Sequence, residues 1–159
     1  MSPAGLVPSL SDETEIDLGP LASSLGFLFR VGQIEVFDMF FDQIGKIGLK
    51  PGEFSVLWVV HSNPGVRQGA VAEKLRIKPA HMTKLVRGFE DQGMITRTVP
   101  EGDRRGMELR LTTKGDAFVT DHSDEFFTYA KSEGDRLSPS EVDQLIMLLQ
   151  KFTRQGGKT

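Results

Sequence analysis

The 159-residue chain contains no cysteine, which excludes disulfides, thiolate metal ligands and direct thiol oxidation as a switch. It has no apolar run near the roughly 18 to 20 residues needed to cross a bilayer. The first residues, MSPAGLVPSLSDETEIDLG, lack the basic flank and apolar stretch of a signal peptide. They read as a loosely ordered acidic arm, and a cytoplasmic protein is expected. Only three histidines occur, His61, His81 and His122, and none has a second ligand at metal spacing. The carboxylates around Asp121-His122-Ser123-Asp124-Glu125 could hold a cation, but a solvated helix face is the plainer reading. No Gly-x-Ser-x-Gly, phosphate-binding loop or dinucleotide fingerprint is present. An enzyme, a bound cofactor and a metal are therefore not expected. There is also no internal repeat and no low-complexity tract.

The formal net charge of -3 conceals an asymmetry. Between Arg67 and Lys114 stand 11 Lys+Arg and 6 Asp+Glu, a net of +5. The remainder holds 8 basic and 16 acidic residues, a net of -8. A basic middle in an acidic chain suggests one surface built to meet a polyanion. Charge alone is equally consistent with a solvated face that meets nothing, so geometry has to decide.

Along the chain, Pro20 is placed to open a helix. The stretch from Leu21 to Gly48 is apolar on more than one face: Leu21, Leu25 and Leu28 form one stripe, and Phe27, Val31, Ile34 and Phe41 another. Such a helix must be covered on two sides, and in a chain this short one cover can be a second subunit. Pro51 is expected to start the next helix, ended by Asn63-Pro64-Gly65. A short helix, QGAVAEKL, follows. Arg76-Ile77-Lys78 then connects it to a helix opened by Pro79 and closed near Gly93, with Met82, Leu85, Val86 and Phe89 as its buried stripe. MITRTV and MELRLT alternate apolar and polar residues and flank PEGDRRG, a hairpin with a glycine-rich tip. A long helix is expected to run from Thr113 to near Gly134. A last one opens with Pro139 and a Ser138-x-x-Glu141 capping box, with Val142, Leu145, Ile146, Leu149 and Phe152 on one face.

Helix, short helix, helix and hairpin make a helix-turn-helix followed by a wing. In that motif the second helix lies in the DNA major groove. If Met82, Leu85, Val86 and Phe89 point inward, then Ala80, His81, Thr83, Lys84 and Arg87 point outward. Their side chains suit base edges and phosphates. Arg104 and Arg105, on a glycine-flanked tip, can enter a narrow electronegative minor groove. An ordinary polar helix face would explain the outward residues alone. The basic helix, the arginine tip and the +5 segment coincide, and that coincidence favours DNA.

The chain resembles the MarR-type winged helix-turn-helix transcriptional regulators from about Leu21 to Phe152. Asp103-Arg104-Arg105 followed by Leu109-Arg110-Leu111-Thr112-Thr113-Lys114-Gly115 is similar to the family's D-x-R…L-x-L-T-x-x-G signature. LVRGFEDQGMITR is similar to the end of its recognition helix and first wing strand. The resemblance implies a mainly α fold with a small β-hairpin wing. Residues 1–19 would form the arm, 20–48 and 113–155 the dimerisation helices, and 49–112 the DNA-binding domain. It further implies a homodimeric repressor on a pseudo-palindromic double-stranded operator, with Arg105 in the minor groove and Asp103 orienting the wing. A small aromatic anionic effector between the dimerisation helices and the DNA-binding lobe is also implied. Arg30, Phe37, Trp58 and His61 are the candidates to line its crevice, although core packing is the plainer reading of Phe37 and Trp58. Departures from the family are Arg67 and Lys78 at helix N-caps and Gly88 inside the recognition helix. A winged helix used only for protein interaction is the alternative, since fold does not fix function.

Overall fold

A computed structural model describes residues 16–102 and 106–154. The described chain is mainly helical with one small sheet. A 3₁₀ turn, Gly19–Ser23, carries Pro20 and gives way to extended backbone at Ser24, so the long helix expected to open at Pro20 begins instead at Leu25. Next come α1 (Leu25–Ile44), α2 (Glu53–Ser62), β1 (Val66–Arg67), α3 (Gln68–Lys74), α4 (Pro79–Asp91), β2 (Ile95–Thr98), β3 (Glu108–Leu111), α5 (Thr113–Ser132) and α6 (Pro139–Thr153). Two compact units are distinguished, one reaching to Glu35 and the other starting at Val36. In the first, Leu18, Leu21, Leu25, Leu28, Phe29, Val31 and Ile34 are all exposed.

In the second unit, Phe54, Val56, Leu57 and Val60 of α2 join Val71 of α3, Met82, Val86 and Phe89 of α4, Leu109 of β3 and Val119 of α5 in one buried cluster. Each such side chain contributes roughly 1.5 to 3 kcal/mol by leaving water. Leu85, expected in the same stripe, is only partly buried against it. A smaller cluster unites Phe40 and Ile44 with Tyr129. The Tyr129 hydroxyl donates to the Val36 carbonyl at 2.9 Å. Burial, and then Glu133 beside it, push that phenol well above its ordinary pKa, so it remains a donor.

The expected start of the second helix at Pro51 is corrected. Pro51 lies in the preceding turn, and Gly52, at φ 86°, is the N-cap of a helix that begins at Glu53. The reason is local: the left-handed glycine redirects the chain, and the Glu53 carboxylate accepts the Lys50 N–H at 2.8 Å. The expected hairpin pairs Ile95 with Leu111 and Arg97 with Leu109. Beyond the expectation, β1 adds a third strand on the other edge of β3, pairing Val66 with Leu109. Two residues are too few to show a period of two, so sequence could not announce it.

Candidate nucleic-acid interface

The turn between α3 and α4 is built on a cap that sequence did not suggest. Arg76 takes φ 57°, a conformation that usually belongs to glycine. Its N–H donates to the Glu73 carbonyl at 3.2 Å, and the Ile77 N–H to the Ala72 carbonyl at 2.8 Å. Those two bonds are a Schellman motif, and Ile77 packs against the core behind it. The far end of α4 closes in the same way, with Gly93 at φ 71°. There the Gly93 and Met94 N–H groups reach the Glu90 and Phe89 carbonyls at 2.8 Å each. The tight turn ahead of α4 and the stop at its far end thus bracket it, and Met82, Val86 and Phe89 anchor its inner face.

On the outer face, Ala80, His81, Lys84 and Arg87 are exposed. Thr83 is half-buried, and its hydroxyl is engaged within the motif. It donates to the Pro79 carbonyl at 3.0 Å and accepts from Gln68 Nε2 at 3.2 Å, tying α4 to α3. Neither Arg67 nor Lys78 caps its helix with a side-chain bond, as expected of cations at those positions. Pro79 removes one of the N–H groups that a cap on α4 would otherwise have to satisfy. A Cβ at Gly88 would meet nothing within 4 Å. The residue borders an open cleft of about 410 Å³ shared with Lys50, His81, Lys84 and Leu85.

The wing is braced against α4 by Arg97, whose guanidinium lies 2.6 Å from the Glu90 carboxylate. The strands lead to Glu101 and Gly102, both exposed. Asp103, Arg104 and Arg105, the residues expected at the tip, lie outside the described residues.

Of the residues expected near an effector, Trp58 and His61 are brought together, with ring centroids 5.6 Å apart. Trp58 also stacks on Phe54 and meets Phe127 edge-on at 4.7 Å. His61 Nδ1 donates to the Asp116 carboxylate at 2.9 Å, joining α2 to α5. Phe37 is exposed on α1, and Arg30 is exposed in the N-terminal unit. Thr112 was visible in the sequence as a letter of the signature, without a role. It caps α5 by accepting the Gly115 N–H at 3.0 Å. A threonine just ahead of a helical run was the available signal. Among the described residues, no helix is long and apolar enough to cross a membrane, and no three His, Asp or Glu side chains are grouped to hold a metal ion.

Comparison with known proteins agrees with this geometry. The model of the MarR family matches residues 49–107. An inferred transcriptional regulatory protein for the hcr operon of Thauera aromatica is 33% identical over 153 residues, covering 96% of this chain and 92% of the relative. The transcriptional repressor CouR, solved on a 23-mer DNA duplex, superposes with a TM-score of 0.80 at 28% identity, covering 88% of this chain and 99% of that one. CouR bound to p-coumaroyl-CoA superposes with a TM-score of 0.78 at 27% identity, with the same coverage.

Proposed function

The chain belongs to the MarR family, and we propose that it is a homodimeric DNA-binding transcriptional regulator, a repressor released by an aromatic anion. The observation that carries the reading is α4. It follows a tight turn, ends in a tight stop, is anchored by its inner face, and presents Ala80, His81, Lys84 and Arg87 outward within a segment of net charge +5. The likeness to DNA-bound CouR supports it. In this reading α4 enters the major groove and reads base edges. The exposed cations, with Arg67 and Lys78 at the helix starts, neutralise phosphates. Thr83 serves through its place beside Gln68, holding the two helices in register. Arg105, with Arg104, enters the minor groove from the wing, and Asp103 orients it.

Dimerisation supplies the cover that α6 lacks. Leu145, Ile146 and Leu148 are 45%, 48% and 50% exposed, and α6 has no fully buried residue. A second copy docked there removes that surface from water, and a two-fold dimer matches a pseudo-palindromic operator with half-sites about 10 base pairs apart. The effector is an aromatic acid, free or carried as a coenzyme A thioester. The ring cluster around Trp58 with His61 favours it, as does the likeness to CouR bound to p-coumaroyl-CoA. Phe37 is proposed as a further effector contact, and so, in the N-terminal unit, is Arg30. The site of action is the cytoplasm, where the operator lies.

Fluorescence anisotropy on the DNA upstream of the protein's own gene, against an unrelated duplex, tests the reading. Binding should prefer the upstream DNA and weaken steeply with salt, because phosphate neutralisation releases counterions. Arg105→Ala should lose about 10-fold or more in affinity and remain dimeric. Equal binding to both duplexes would remove the DNA reading and bring protein interaction forward.

A further inference from the structure

Where α4 ends and the wing begins, three successive carbonyls are held by one short run at the start of α5. The Thr112 hydroxyl donates to the Gly93 carbonyl at 2.6 Å. The Thr112 N–H donates to the Met94 carbonyl at 3.0 Å. The Lys114 ammonium donates to the Gln92 carbonyl at 2.7 Å. The hydroxyl that holds Gly93 is the same one that caps α5 through the Gly115 N–H. Gly115 makes the approach feasible, since a Cβ there would stand 2.1 Å from the Met94 carbonyl oxygen.

The charge placement is informative. Lys114 lies in the first turn of α5, where the helix dipole disfavours a cation. The same ammonium meets the C-terminal end of α4, where the dipole favours one. The residue therefore serves the reading helix rather than the helix that carries it.

We propose that Thr112 and Lys114 are positioning residues for base recognition. They lock the exit of α4 and the root of β2 onto α5, and so set the angle at which α4 and the wing meet DNA. The inference rests on the DNA-binding reading above, and neither residue has to touch DNA. Base-edge hydrogen bonds tolerate little misplacement, whereas long cationic side chains reach phosphates from many angles. Loosening the lock should therefore erode sequence preference and spare general affinity.

The test uses a duplex enriched by the wild-type protein from a random-sequence pool, and a scrambled duplex of the same composition. Thr112→Val, Thr112→Ser and Lys114→Met are compared by anisotropy across a salt series, with thermal melting of each variant. Thr112→Val and Lys114→Met should each lose about 10-fold in preference for the enriched duplex, the scale of one well-placed hydrogen bond to a charged or carbonyl partner. Their affinity for the scrambled duplex and its salt slope should match wild type. Thr112→Ser, which keeps the hydroxyl, should keep the preference. If Thr112→Val does not fold, Lys114→Met, altered only at an exposed side chain, carries the test alone.

Equal losses on both duplexes with a shallower salt slope would make Lys114 a phosphate contact and overturn the proposal. Full preference in every variant would overturn it too, leaving the DNA reading intact. A wild-type protein that enriches no sequence would sink the DNA reading and this inference together.

Discussion

Replacing Gly115 with alanine places a methyl carbon 2.1 Å from the Met94 carbonyl oxygen. An unstrained carbon–oxygen contact is about 3.3 Å or longer, so α5 and the root of β2 must separate by more than about 1 Å. The obstruction is backbone, which cannot swing aside as a side-chain tip could. Overpacking of this kind costs about 1 to 3 kcal/mol. The separation also stretches the bonds from Thr112 to Met94 and Gly93, 3.0 and 2.6 Å in the native chain, each worth roughly 1 kcal/mol net. Alanine returns at most about 1 kcal/mol in helix propensity. The net expectation is a loss of about 2 to 4 kcal/mol, or roughly 5 to 15 °C in melting temperature. Gly88→Ala is the internal control: it is also a helical glycine, but its new methyl group meets nothing within 4 Å. That variant should gain about 0.5 to 1 kcal/mol. Urea unfolding of both at one fixed protein concentration, because a dimer's stability depends on it, decides the matter. A Gly115→Ala protein within about 0.5 kcal/mol of wild type, or two variants moving in the same direction, would refute the reasoning.

Tyr129→Phe removes the bond to the Val36 carbonyl and should lower stability by about 1 to 2 kcal/mol in chemical denaturation. The folded chain holds the phenol proton more tightly than the unfolded one. Its contribution is therefore complete below the ordinary tyrosine value of about 10 and should drain away as pH rises beyond it, in wild type and not in the variant. Glu141 titrates with the opposite sign. The Ser138 N–H and hydroxyl, each 2.8 Å from its carboxylate, hold its pKa below the ordinary value. Its support of α6 is present above about pH 4.3 and is lost as pH falls beneath that, so Glu141→Gln should flatten the acid limb of a stability–pH profile.

Much of the architecture was legible because its signals are local. Pro79 and Gly93 bracket α4, Ser138-Pro139 and Glu141 announce α6, and the alternation in MITRTV and MELRLT marks the hairpin. Each is a property of neighbouring residues and survives without knowledge of the rest. Three features were not legible, two because they rest on contacts distant in sequence and one, the start of α2, because a proline and a glycine compete for the same turn. Arg76 ends α3 in a conformation usually left to glycine, and the two Schellman bonds with Ile77 docking on the core compensate for it. Gly52 displaces the start of α2 from Pro51. Strand β1 exists only because β3 offers it an edge.

The candidate site divides in the same way. Helical periodicity was enough to sort Met82, Val86 and Phe89 inward and Ala80, His81, Lys84 and Arg87 outward, since a 3.6-residue period assigns faces by counting. It also sorted Thr83 outward, and counting could not see that Gln68, fifteen residues earlier, would meet its hydroxyl. The glycine of the L-x-L-T-x-x-G signature was visible as a letter, but its reason, a carbonyl contributed by Met94 from across the fold, was not. The sequence by itself determined which segments coil, where they stop and where the positive charge accumulates, because those depend on bonds and spacings within a turn or two. Only the tertiary structure decided that the exit of α4, the root of the wing and the first turn of α5 share one set of hydrogen bonds, because those contacts join residues about twenty positions apart in sequence.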